Sequence, residues 1–147
     1  MYINYKINTA LVGGPNGWRD GQDRSRCLFM DDWIKSGKVR ARITDEGALE
    51  VRCFGLTTQA KYYKPLLKEF FRKDFTRLRP GHGDYAVHIV MEYTGDPPWM
   101  DLDNLAKALL DSVSGNAFAD DHQVARLLVE RRVGDREGIY MRVEAMD

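Results

Sequence analysis

Hydrophobic and polar positions follow two rhythms along the 147 residues of this chain. Alternation with a period of two, rich in β-branched and aromatic residues, predicts strands at residues 2–12, 39–44, 48–54 and 84–94. Apolar residues at helical spacing predict two helices, one over 58–77 that begins at Thr57 or Thr58 and one that begins near Asp101. The last two segments, 124–133 and 138–146, are predicted as strands, although 124–133 also fits a helix.

The helix that begins near Asp101 has the clearest pattern. On a helical wheel its apolar arc holds Leu102, Leu105, Ala106, Leu109, Leu110 and Val113, and its polar arc holds Asp103, Asn104, Lys107 and Asp111. Such a helix packs its apolar arc against another element. The sequence therefore predicts an α+β fold, a single domain in which one mixed β-sheet packs with two main helices.

The composition is that of an ordinary globular chain. Hydrophobic residues make up 44% and charged residues 30%, and 147 residues are enough for one domain with its own core. Cys27 and Cys53 form neither a close metal-binding pair nor a disulfide framework, which is typical of reduced thiols in the cytoplasm. No stretch predicts a signal peptide or a membrane span, so we expect a cytoplasmic protein without membrane contact.

Charge is unevenly distributed, although the net charge is zero. Residues 61–79 contain seven basic and two acidic side chains, a net of +5, and residues 92–121 contain seven acidic and one basic side chain, a net of −6. Such blocks indicate either two surfaces with different functions or two solvated faces that attract each other.

The acidic block has a structural and a functional interpretation. In the structural one, Asp101 caps the helix, Asp103 favours its dipole, and Lys107 forms surface ion pairs with Asp103 and Asp111. In the functional one, the connector brings Asp120 and Asp121 back to the start of the helix. Four carboxylates without matching cations would then need a bound cation, and oxygen ligands select Mg²⁺ or Mn²⁺.

Other known motifs are excluded or weak. A calcium loop that begins at Asp101 would need Gly and Glu where Ala106 and Ser112 stand, and the chain contains no phosphate-binding P-loop and no HExxH motif. His82 and His88 are predicted to be structural, and the sequence assigns no role to His122.

The pattern D-x-D-N-x-x-K-x-x-x-D, followed by a turn-rich connector and D-D-x-Q-V, resembles the signature of the RusA-like Holliday-junction resolvases. Here it reads Asp101, Asp103, Asn104, Lys107 and Asp111, then Asp120, Asp121, Gln123 and Val124. The order of predicted elements from about residue 57 onwards also resembles that family. The segment of about 1–56 departs from it, so we expect a single 1–147 domain with an atypical N-terminal segment.

The resemblance implies a Mg²⁺-dependent endonuclease, for which Mn²⁺ can substitute, that resolves four-way DNA junctions by paired nicks in recombination and repair. It implies that Asp101, Asp103 and Asp121 hold the metal and that Lys107 is needed for cleavage, with Asp120 and Asp111 in support. It also implies a homodimer, because a four-way junction is nearly two-fold symmetric. Such an enzyme would associate with the nucleoid when it is bound to DNA.

Basic residues predict where DNA is held. The candidates for phosphate contacts are Lys61, Lys64, Lys68, Arg72, Lys73 and Arg126. Two other functions remain open from the residues: a branched-DNA-binding module without catalysis, and a metal-dependent hydrolase of small phosphate esters. The binding module predicts DNA binding that is unchanged when Asp101 is lost. The hydrolase predicts turnover of mononucleotide analogues.

Overall fold

Six strands and two α-helices follow one another in a computed structural model, which describes residues 33–57, 59–76 and 78–146. The chain divides into two compact units, Met1–Trp33 and Ile34–Asp147, and every element described here belongs to the second. The elements are β1 (Ile34–Ser36), β2 (Val39–Ile43), β3 (Leu49–Phe54), α1 (Tyr63–Lys73), β4 (Tyr85–Tyr93), α2 (Leu102–Val113), β5 (Val124–Val133) and β6 (Gly138–Ala145), with 3-10 turns at Ala60–Tyr62 and Asp121–Gln123. The predicted strand over 2–12 and Cys27 lie outside the described residues.

The described strands form one mixed sheet in the order β1-β2-β3-β6-β4-β5. Every neighbouring pair is antiparallel except β4 and β5, which are parallel. The chain reaches β5 from β4 through α2, as a parallel pair requires a crossover connection. The α+β prediction with one mixed sheet and two helices is confirmed, and 124–133 forms a strand rather than a helix.

One hydrophobic core joins the sheet to both helices. Alternate residues of β4, Val87, Ile89 and Met91, are almost fully buried in it. The apolar arc predicted for α2 is confirmed, since Leu105, Ala106, Leu109 and Val113 are buried and Leu102 and Leu110 pack against the core while partly exposed. The burial of this arc fixes the rotation of α2 and turns its polar arc outward.

The first helix is shorter than the sequence predicts. A 3-10 turn at Ala60–Tyr62 precedes it, Thr57 Oγ1 accepts a hydrogen bond from the Gln59 N–H (3.2 Å) instead of capping a helix, and residue 58 lies outside the described residues. Pro65 explains the late start, because proline lacks the N–H that a helix interior needs and is tolerated in the first turn. The helix ends at Lys73, so the prediction of 58–77 is wrong at both ends.

The hairpin predicted between 39–44 and 48–54 is confirmed as β2 and β3, whose register pairs Ile43 with Leu49. In its turn Gly47 has a φ of 89°, which an L side chain rarely adopts, and Thr44 Oγ1 accepts a hydrogen bond from the Ala48 N–H (3.1 Å). The three-residue strand β1 was not predicted, because so short a segment carries no readable alternation.

A buried charged cluster ties three strands together. Glu50 on β3 is 1% exposed and accepts hydrogen bonds from Arg42 Nε (2.7 Å), the Tyr140 hydroxyl (2.7 Å) and Arg142 Nη1 (3.2 Å). Arg142 also pairs with Glu144 at 3.1 Å. Because each charge is matched inside the sheet, this cluster is part of the fold's stability rather than an open site.

No helix in the described part of the chain is long and apolar enough to cross a membrane.

Candidate active site

The first acidic pair stands where α2 begins. Asp101 has extended backbone angles (φ −74°, ψ 137°), and its carbonyl oxygen accepts the first helical hydrogen bond from the Leu105 N–H (3.1 Å), but its side chain makes no capping hydrogen bond. The Asp103 carboxylate accepts only a local bond, from the Asn104 N–H at 2.9 Å, among the hydrogen bonds of the described residues. Both side chains are exposed. The structural interpretation of Asp101 as a side-chain cap is therefore not supported.

Lys107 lies one turn further along the same polar arc. Its side chain is exposed and forms no ion pair within residues 33–57, 59–76 and 78–146. Asp111 pairs instead with Lys64 of α1 at 3.9 Å, across the contact between the two helices. The surface ion pairs that the structural interpretation gave to Lys107 are absent there, which leaves its ammonium available to an anion.

A cavity of about 530 Å³ opens beside this arc, between α1 and α2. Its lining includes the site residues Asp101, Asn104, Lys107 and Asp111 together with Lys61 and Lys64 from the predicted basic surface; Gln59, Ala60, Trp99, Met100 and Ala108 complete it. The cavity therefore brings together two predicted groups that lie about forty residues apart in the chain. Trp99 belongs to no sequence motif, and the only signal for it in the sequence is an aromatic residue after two prolines.

The second acidic pair belongs to the 3-10 turn before β5. Asp120 caps this turn: its carboxylate accepts from the His122 N–H (3.4 Å), and Gln123 Oε1 accepts from the Asp120 N–H (3.0 Å). Gln123 also donates to the carbonyl oxygens of Gly81 (3.1 Å) and Gly83 (2.8 Å), which fixes the turn to the loop before β4. Asp120 thus has a structural role that the sequence analysis did not recognise, because a three-residue turn carries no hydrophobic periodicity.

The pKa of Asp121 is raised by its acidic neighbours. Its hydrogen bond with Asp120, slight burial and the negative charges of Asp120 and Asp111 raise its pKa. The same hydrogen bond, with help from His122, lowers the pKa of Asp120. Two carboxylates whose pKa values are driven apart share a site that favours one proton or one cation over two free charges.

The two acidic pairs do not converge within one chain. The charge of Asp111, near the end of α2, helps to raise the pKa of Asp121, whereas Asp101 and Asp103 lie about 15 Å and about 12 Å before Asp111 along the helix axis. No three acidic, histidine or cysteine side chains in the described residues form a group that could hold a metal ion. The convergence of four carboxylates that the sequence suggested is therefore not formed within the described chain.

The predicted basic surface is only partly open. Lys61 and Lys64 line the cavity, and Arg126 is exposed on β5. Lys68 donates to the Ser114 carbonyl oxygen at 3.4 Å. Arg72 and Lys73 both pair with Glu69, at 2.7 and 2.9 Å. Of the six candidates, Lys61 and Arg126 thus form neither an ion pair nor a side-chain hydrogen bond within the described residues.

Two comparisons connect this geometry with known proteins. A family model described as endodeoxyribonuclease RusA matches residues 33–144, and the match includes the β2–β3 hairpin. The chain is also similar to a tRNA-specific 2-thiouridylase, MnmA, of Thermosipho melanesiensis, with 28% identity over 138 residues. That similarity covers 86% of this chain, and the chain spans 39% of the length of that relative.

Because the family match covers most of the chain, this protein belongs to the RusA endodeoxyribonuclease family. Membership confirms the resemblance seen in the sequence.

Proposed function

We propose that this member of the RusA family is a Mg²⁺-dependent, structure-selective endonuclease that resolves four-way DNA junctions by paired nicks in recombination and repair. The observation that carries the proposal is Lys107: an ammonium without an ion-pair partner in the described chain, lining the same cavity as Asp101. We propose further that the enzyme acts in the cytoplasm and associates with the nucleoid when it is bound to DNA.

The chemistry of the first acidic pair fits Mg²⁺. This ion keeps several of its waters and binds through one or two carboxylates plus substrate phosphates rather than through a closed protein cage. Asp101 and Asp103 are both exposed and supply two such carboxylates; the Asp101 side chain makes no capping bond, and the Asp103 carboxylate accepts only the local bond from the Asn104 N–H. When bound, Mg²⁺ would make a water nucleophilic and neutralise charge on the phosphate, and Mn²⁺ shares its preference for oxygen.

The remaining groups act on the DNA directly. Lys107 donates to a non-bridging oxygen of the scissile phosphate and stabilises the charge that develops there. Lys61 and Lys64, which line the same cavity, hold neighbouring phosphates, so affinity falls with salt. Lys64 is already partly engaged by Asp111 at 3.9 Å, and DNA would compete with that exposed ion pair at little cost.

The homodimer follows from the substrate and from the spacing of the acids. Paired nicks in a nearly two-fold junction need two identical sites related by a two-fold axis. Within one chain Asp121 lies towards the other end of α2 from Asp101, so both can serve one ion only if Asp121 comes from a second copy. We therefore propose that Asp121 completes the metal site of its partner, with Asp120 holding it in place.

Mixing two inactive variants tests this arrangement. Chains with Asp101→Asn and chains with Asp121→Asn should each be inactive alone. A mixed dimer would contain one intact site if the ligands come from two chains, and it should nick one strand of a junction. If the mixture stays inactive although an untagged variant co-purifies with the tagged one as a mixed dimer, the shared site is refuted.

The similarity to a 2-thiouridylase does not support sulfur chemistry in the described part of this chain. Desolvation by burial raises the pKa of Cys53 to about 11, although the charge of Lys38 opposes the shift. Sulfur transfer needs a reactive thiolate, and a buried thiol with a raised pKa is inert.

Cleavage of a synthetic four-way junction tests the proposed function. Wild-type protein should cut the junction with Mg²⁺, leave a linear duplex of the same sequence uncut, and bind without cutting in EDTA. Equal cutting of both substrates would refute junction selectivity. Binding without cleavage at any Mg²⁺ concentration would favour a branched-DNA-binding module, and turnover of a mononucleotide analogue without junction cleavage would favour a small-ester hydrolase.

A further inference from the structure

Trp99 is the most exposed of the large hydrophobic side chains in the described residues, at 93%, and it stands at the wall of the cavity, two residues before Asp101. An indole held in water forgoes the stabilisation that burial of its large apolar surface would bring. Its neighbour Met100 is packed against the core, with its N–H donating to the Pro98 carbonyl oxygen at 2.9 Å. The backbone at Trp99 is therefore anchored while its ring faces solvent.

The lining of the cavity combines the groups that recognise a single nucleotide. Gln59 and Asn104 carry amides, which both donate and accept hydrogen bonds as base edges do. Lys61 and Lys107 supply cations for the phosphates, and Trp99 supplies a flat aromatic face. The volume of about 530 Å³ lies within the range of small-molecule pockets.

We propose that this cavity receives one unstacked nucleotide of the DNA, whose base stacks on Trp99 while its phosphates contact the lysines. This inference rests on the proposed function and names what that site binds. Stacking is interrupted at a branch point, so a nucleotide there is easier to extrude than one inside a continuous duplex. The cavity thereby gives a physical reason for preferring branched DNA over linear duplex.

Binding measured in EDTA tests this inference independently of cleavage. The probe is a duplex with one unpaired 2-aminopurine, whose fluorescence is quenched when the base stacks. Trp99→Ala should weaken binding of this probe by about 5-fold to 150-fold, the loss typical of removing one base–aromatic stack. It should also abolish the quenching, whereas Trp99→Phe, which keeps an aromatic face, should retain most of both.

Tyr62→Ala is the matched control, since Tyr62 is 55% exposed but does not line this cavity. It should bind the probe as the wild type does, and all variants should keep the wild-type melting temperature. Unchanged binding by Trp99→Ala, equal losses in Trp99→Ala and Trp99→Phe, or an equal loss in Tyr62→Ala would each overturn the inference. Failure of the wild type to cut junctions would refute the proposed function alone, because this measurement involves no cleavage.

Discussion

Replacing the Lys107 ammonium with an uncharged side chain of similar length, Lys107→Met, should abolish most of the cleavage and leave the fold intact. Lys107 is exposed and forms no ion pair in the described chain, so the free energy of unfolding should change by no more than about 0.5 kcal/mol. If the ammonium stabilises charge that develops on the phosphate, its loss should lower the rate of cleavage by about 10²-fold to 10³-fold, or about 2.7–4 kcal/mol.

Single-turnover cleavage of a labelled junction at saturating enzyme measures this rate without interference from product release. Junction affinity in EDTA should fall only slightly, and the slope of log affinity against log salt should become shallower by about one, because a single phosphate contact is lost. Lys35→Met, on β1 and far along the chain from the site, is the matched control for loss of a lysine. The Lys35→Met variant should cut the junction at the wild-type rate.

A cleavage rate for Lys107→Met within about tenfold of the wild type would refute the reasoning, since that corresponds to less than about 1.4 kcal/mol of transition-state stabilisation. The ammonium would then be an ordinary surface charge. A large drop in melting temperature would also refute it, because the described structure contains no interaction of Lys107 whose loss should unfold the chain.

Three further predictions concern the acids and the buried groups. Asp121→Asn should lose cleavage by orders of magnitude while it still binds junctions in EDTA, and its melting temperature should no longer rise with Mg²⁺; retained cleavage would exclude Asp121 as a ligand. Glu50→Ala should lower the free energy of unfolding by about 3–5 kcal/mol in chemical denaturation, since it removes the buried carboxylate that accepts from Arg42, Tyr140 and Arg142, whereas the exposed Glu46→Ala should change it by less than about 1 kcal/mol. With Cys27→Ser as background, Cys53 should react with a thiol reagent at pH 8 only after unfolding, because a pKa of about 11 leaves about 0.1% thiolate; fast labelling of the folded protein would contradict its burial.

The elements that the sequence predicted correctly are those whose residues are fixed by burial. In α2 the apolar arc is long enough that 3.6-residue periodicity outweighs other patterns, and Leu105 and Leu109 are indeed buried. In β4 the run from Val87 to Met91 is buried on both faces, which gives a strongly β-branched and apolar segment. Such patterns report directly on the core.

The elements that the sequence missed depend on backbone chemistry or on distant partners. Tyr62 and Leu66 fit the spacing of a buried helical face, but the face that α1 buries holds Tyr63, Leu67, Phe70 and Phe71. Tyr62 and Leu66 are exposed, at 55% and 39%. Strand β5 could be distinguished from a helix only through its pairing with β4, which no local pattern contains. Local spacing alone therefore does not determine which surface each apolar residue faces.

The candidate site, too, could be predicted only in part from the sequence. Periodicity alone could place Asp103, Asn104, Lys107 and Asp111 on one polar arc, and the structure confirms that arc. The relation of Asp121 to that arc could not be predicted, because it depends on the crossover that brings the chain back to the start of β5. The cavity wall formed by Lys61 and Lys64 likewise exists only once α1 packs on α2.

The polar arc of α2 lacks ion pairs that its residue spacing would allow. Spacing of four residues allows Lys107 to pair with Asp103 and with Asp111, each worth about 0.2–0.5 kcal/mol, yet neither pair forms. The hydrogen bond and the charges at Asp120 and Asp111 also leave Asp121 with a raised pKa. A surface that served only stability would form the Lys107 ion pairs and separate the acids around Asp121. A site that must bind a cation and a phosphate instead needs charges that stay unpaired until the substrate binds. Asp121→Asn should therefore raise the melting temperature in EDTA at the expense of cleavage, and a gain of stability without a loss of activity would mean that this crowding serves no function.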